Sequence, residues 1–90
     1  MKSGNIDFLR VDYILYSSSN DKYYIGSCGD VNVRLQQHNS GRNLSTKSGI
    51  PWLLVWKEIA VTQQEARQRE TAIKKKKSRK YIEWLIARSD

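Results

Sequence analysis

The sequence predicts an α+β domain with its elements in the order β-β-α-β-α-α. Three observations lead there. Two short runs rich in β-branched and aromatic residues, "VDYILYSSS" from Val11 and "KYYIGSC" from Lys22, flank the turn-forming "SSNDK". A third such run, "WLLVWKEI", begins at Trp52. The last third of the chain carries helix-start signals, and its apolar residues recur at helical spacing. Strands that precede most of the helices imply a small antiparallel or mixed sheet packed by helices.

Residues 1–9 read as a flexible tail and 10–88 as one domain. Ninety residues lie near the lower end of what folds without staples, so three tryptophans and the aliphatic strands must supply most of the core. The hairpin places strands near 10–17 and 22–28. Alternation sets Val11, Tyr13 and Leu15 on one face of the first strand, and Asp12, Ile14 and Tyr16 on the other. Gly26 weakens a strand interior, which points to a close approach by another backbone or a ligand. Asp30 is an N-cap for a short helix over "DVNVRLQQHNSG", which Gly41 ends. Residues 42–51 form a polar, basic loop containing Lys47. In the third strand, period-2 alternation puts Trp52, Leu54 and Trp56 on one face. "TQQE" at Thr62–Glu65 is a capping box that opens a helix to about Lys77. Ser78 caps a last helix, which docks through Ile82, Leu85 and Ile86.

Composition excludes several classes. A single cysteine, Cys28, allows no internal disulfide and suits a reducing compartment; with one histidine it leaves no zinc site built within the chain. No stretch has the length of a signal-peptide core or a membrane span, so the expectation is a cytoplasmic protein with no membrane partner. The net charge of +7 is concentrated late in the chain. Residues 61–90 hold nine Lys/Arg against four Asp/Glu, which nominates nucleic acid as the partner. Lys74, Lys75, Lys76, Arg79 and Lys80, with Lys47 in the loop, are the residues to contact phosphates. An anionic membrane surface fits less well, because no continuous bulky apolar face opposes the basic run.

One acid stands out in that run. At 100° per residue, Ala66, Glu70, Ile73 and Lys77 share a stripe, so Glu70 points toward the protein body while Lys74 to Lys76 turn away. A carboxylate so placed needs a cation. Either Lys74, four residues on, supplies it, or a metal ion does; paired charges are the commoner case. Arg34 and His38, also four apart, share a side of the first helix near Val31 and Leu35. An arginine there suits a phosphate, since its planar fork donates two hydrogen bonds. A surface arginine and a core-edge histidine are the plainer readings, and tyrosines favour strands whatever their role. Phosphodiester hydrolysis wants a Mg²⁺ held by few carboxylates, a base for water and a cation for the developing charge. Glu70, a hairpin tyrosine and Arg34 could supply one of each.

These residues resemble the GIY-YIG nuclease superfamily, and its small stand-alone bacterial members in particular, over residues 11–86. Tyr24-Ile25-Gly26 is the second half of the signature, whereas Val11-Asp12-Tyr13 keeps only the tyrosine of the first. The ordered set of Tyr13, Tyr24-Ile25-Gly26, Arg34, His38 and Glu70 carries the resemblance. It implies a three-stranded antiparallel sheet flanked by helices, and an endonuclease that uses one Mg²⁺ or Mn²⁺ ion. It further implies Glu70 as metal ligand, Arg34 as the residue stabilising the scissile phosphate and Tyr13 as the activator of water. Tyr24 and His38 would assist, and Gly26 would leave room beside the tyrosines. Two departures stand out. Asp12 puts a charge where the signature has an uncharged residue, and no asparagine follows Asn43. With no appended reading domain, the expected action is structure-directed or weakly sequence-specific, or targeted by a protein partner, on DNA rather than RNA. The alternative is a nucleic-acid-binding module that keeps the fold without cleavage.

Overall fold

The computed structural model describes residues 9–88, so all of the expected tail but Leu9 lies outside the described residues. β1 (Arg10–Ser17) and β2 (Lys22–Cys28) form the hairpin, α1 (Val31–Asn39) follows, and β3 (Trp52–Ala60) precedes α2 (Gln63–Lys76) and α3 (Arg79–Arg88). The sheet is antiparallel throughout, in the order β2-β1-β3. The expected element order is thus the observed one. No helix among the described residues is long and apolar enough to cross a membrane.

Local chemistry sets the boundaries. The Asp30 carboxylate accepts from the amides of Asn32 and Val33, and Gly41, at φ +83°, takes the left-handed position just past α1. Thr62 Oγ1 accepts from the Glu65 amide, and Ser78 Oγ from that of Tyr81. Each cap contributes about 1 kcal/mol.

The sheet is covered on both faces. Tyr13 and Leu15 pack with Cys28, Val31 and Trp52 under α1, while Ile14 packs with Trp56, Ile73 and Leu85 under α2 and α3. The alternation expected for β1 is therefore correct, and residues Asp12–Leu15 are all buried.

The face assignment for β3 is not. Ile14 pairs with Trp56 but Leu15 pairs with Leu54, so Val55 is an extra residue in β3. A bulge resets the strand's parity. Trp52 and Leu54 consequently pack on the α1 side, whereas Val55 and Trp56 pack on the α2 side. A strict period of two cannot anticipate that switch. It gives each layer of the core one large indole.

Candidate active site

β1, β2 and α1 bring five of the expected residues together: Tyr13, Tyr24, Gly26, Arg34 and His38. Tyr13 and Gly26 are cross-strand partners, and the tyrosine ring lies over the glycine: a Cβ on Gly26 would sit 2.5 Å from Tyr13 Oη. The close approach inferred from the glycine is real, and what approaches is a side chain. Tyr13 Oη then meets His38 Nε2 at 3.2 Å. His38 Nδ1 lies 2.9 Å from Thr46 Oγ1, and that hydroxyl reaches the Asn43 carbonyl at 3.4 Å. With Thr46 donating to Asn43, the imidazole proton sits on Nδ1 and Nε2 accepts from Tyr13. Tyr13 and His38 are 1% and 0% exposed, so this chain of hydrogen bonds runs inside the protein.

Trp52 holds the far end of the chain in place. Its Nε1 donates to the Thr46 carbonyl at 2.8 Å, and its backbone exchanges hydrogen bonds with the Asn39 side chain. Tyr24 completes the aromatic wall, edge-on to His38 with centroids 4.8 Å apart. Arg34, one turn before His38, is half-buried. It lines a cleft of about 540 Å³ with His38, Arg42 and Asn43.

Burial and the neighbouring Tyr24 push the Tyr13 hydroxyl well above the usual tyrosine range, and the Arg34 guanidinium offsets part of that rise. Burial, and then Arg34, lower His38 below the usual histidine value. At neutral pH the pair is thus a protonated tyrosine beside a neutral imidazole. Tyr13 is no phenolate waiting for a proton; it can accept one only while passing its own to Nε2.

Glu70 belongs to the other layer. Ala66 and Ile73 are buried against the sheet and Glu70, between them on the stripe, is half-buried. Its Oε2 accepts from Lys74 Nζ at 2.7 Å, the ion pair that the spacing allowed. Among the described residues, no hydrogen bond or ion pair joins Glu70 to Tyr13, Tyr24, Arg34 or His38. The two layers share β2, whose Tyr24 packs toward α1 and whose Ile25 packs toward α2.

Comparison of the sequence with known proteins points to one family. The model of the GIY-YIG catalytic domain covers residues 12–82. This chain belongs to the GIY-YIG family. GIY-YIG domains make up a nuclease superfamily. A UPF0213 protein of Streptococcus pneumoniae is 33% identical over 69 residues, covering 76% of this chain and 70% of its own. A UPF0213 protein of Staphylococcus aureus is 40% identical over 57 residues, covering 62% and 70%. No solved structure gives a significant match.

The remaining residues of this GIY-YIG domain divide by their surroundings. Lys47, Lys75 and Lys80 are exposed. Lys74 is paired with Glu70, and Lys76 Nζ stands 5.2 Å from the centroid of the Tyr81 ring. Arg79 is committed within the fold: it pairs with Asp21 at 2.5 Å and Glu83 at 3.1 Å, and it covers the Tyr23 ring. It therefore ties the start of α3 to the β1–β2 turn. Sequence reasoning passed over Thr46 and Arg42. Both lie in the polar loop, where spacing carries no signal, although a basic residue just past the Arg34 helix could have been weighed.

Proposed function

We propose that this chain is a divalent-metal-dependent endonuclease that hydrolyses phosphodiester bonds, with DNA as the substrate. The observation that carries the reading is the buried Tyr13–His38–Thr46 chain, whose His38 lines the cleft together with Arg34. A water molecule at Tyr13 Oη would lose a proton to the tyrosine as Tyr13 passes its own proton to His38 Nε2. The water oxygen then bonds to phosphorus as the bond to the leaving oxygen breaks. The imidazolium that forms is held through Nδ1 by Thr46. Arg34 stabilises charge on the non-bridging oxygens, a role usually worth about 10²–10³ in rate. Arg42, on the same cleft, binds the flanking backbone.

Glu70 fits a divalent cation. It is a hard oxygen donor, half-buried on the sheet-facing stripe, and among the described residues only its Oε2 accepts a hydrogen bond. Among those residues no group of three or more His, Cys, Asp or Glu could hold a metal, so Mg²⁺ or Mn²⁺ would bind through few protein ligands, leaving places for water and phosphate. A bound ion supplies Lewis-acid charge stabilisation to phosphate and leaving oxygen. β2 is an edge strand, so a phosphate lying along it can touch residues of both layers.

The test is incubation of purified protein with branched, single-stranded and duplex DNA and RNA, in Mn²⁺ or EDTA. Metal-dependent cleavage that Glu70→Gln abolishes in a folded protein supports the reading. Salt-sensitive binding with no cleavage under any condition makes the chain a nucleic-acid-binding module instead.

A further inference from the structure

We propose that Asp12 is a second carboxylate ligand for the cation assigned to Glu70, so that the ion is held between β1 and α2 by two carboxylates. The inference rests on the metal-dependent reading above and adds a residue to it. Asp12 is cross-strand from Ser27 on β2 and Glu58 on β3. Its side chain projects to the side of the sheet that α2 covers, as Ile14 does. Glu58 and Glu70 are near enough on that side to act on the Asp12 charge, though among the described residues the three do not form one ligand cluster.

Two of the three have cations of their own. Glu58 takes Arg69 at 2.9 Å, and Glu70 takes Lys74 at 2.7 Å. Arg69 also reaches Tyr81 Oη, and its pull on Asp12 is weaker than the push from Glu70. Asp12 is 0% exposed, and among the described residues neither of its oxygens has a hydrogen-bond partner. Ser27 lies near enough to favour its charged form but outside bonding geometry.

A buried carboxylate with no partner is costly, and an aliphatic residue would fill the same strand position without that cost. Its natural partner is a cation from outside the chain. Mg²⁺ and Mn²⁺ suit a pair of carboxylates completed by water and phosphate oxygens. Lys74 marks the way in: its ammonium already stands at Glu70 Oε2, and the side chain is half-exposed, free to swing out as the ion takes its place.

The test is Mn²⁺ binding to the full chain without nucleic acid, read by electron paramagnetic resonance and by the Mn²⁺-induced rise in melting temperature. It compares wild type, Asp12→Asn and Glu70→Gln. Wild type should bind, and each variant should lose roughly tenfold or more in affinity, since even an outer-shell partner is worth that much. Without metal, Asp12→Asn should melt no lower than wild type at neutral pH. Should that variant fail to fold, Asp12→Val serves the same comparison. Wild-type affinity in Asp12→Asn, with loss in Glu70→Gln, overturns this inference and leaves the metal reading intact. Wild-type affinity in both, or no binding by wild type at millimolar Mn²⁺, removes the Glu70 assignment and Asp12 with it.

Discussion

The hydroxyl of Tyr13 occupies the space where a side chain on its cross-strand partner Gly26 would begin, 2.5 Å from the position of a Cβ. The glycine is therefore a condition for the tyrosine's reach to His38. Gly26→Ala should push the ring away and break the contact with Nε2. We expect cleavage to be lost, and stability to fall by about 1–3 kcal/mol from overpacking. Urea unfolding and single-turnover cleavage measure the two effects. A Gly26→Ala protein that cleaves at the wild-type rate would show that the contact is dispensable.

Tyr13→Phe keeps the ring and removes the first link in the proton path. Affinity for nucleic acid, measured in Ca²⁺, should stay unchanged while cleavage falls by about 10²–10⁴. The pH profile is diagnostic. His38 is the final acceptor and its pKa is lowered, so wild-type cleavage should rise on the acid side below the ordinary histidine value and then level off. A rate that keeps climbing toward the tyrosine range would make Tyr13 the ionising base and remove His38 from the path.

Arg34 and Arg42 line one cleft but should fail differently when replaced. Arg34→Ala, beside Tyr13, should lower the rate constant by about 10²–10³ with little change in affinity. Arg42→Ala should weaken binding and leave the rate at saturation close to that of wild type. Equal losses of rate and affinity in both would assign the whole cleft to docking.

Asp12 links folding to pH. Burial, helped by Glu70 and Glu58, raises its pKa from 3.8 to about 6. The folded state thus holds this proton more tightly than the unfolded chain. The stability involved is fully present below the unfolded value and is lost as pH rises through about 6. The shift corresponds to about 3 kcal/mol as an upper bound. In metal-free buffer, the stability difference between Asp12→Asn and wild type should move in the mutant's favour from about pH 4 to about pH 7, within that bound. Urea midpoints across that range test it, and a pH-independent difference would mean that Asp12 titrates normally.

The basic residues should separate by their surroundings. Lys75→Ala should flatten the dependence of log K on log[salt] by roughly one unit of slope. Arg79→Ala should leave the slope nearly unchanged and lower the melting temperature instead, because its guanidinium ties Asp21 to Glu83. Equal slopes for Lys75→Ala and wild type would make Lys75 part of a solvated face.

Features written in local spacing are legible in the order of residues alone. Caps at Asp30, Thr62 and Ser78 mark helix starts through side chains two or three residues from the amides they satisfy. The alternation of β1 separated Tyr13 from Asp12, and the helical period turned Glu70 inward between Ala66 and Ile73. Features that depend on partners distant in the chain emerge only once it folds. A bulge at Val55 divides the tryptophans of β3 between two layers, because pairing with β1, not the period of β3, sets its parity. Thr46 becomes the support of His38 because Trp52 fixes the loop that carries it. Arg79 turns from the basic run to Asp21, which lies 58 residues earlier. Asp12 loses its solvent only when α2 closes over the sheet, since a strand residue's burial is settled by what packs on it and not by the strand's own sequence.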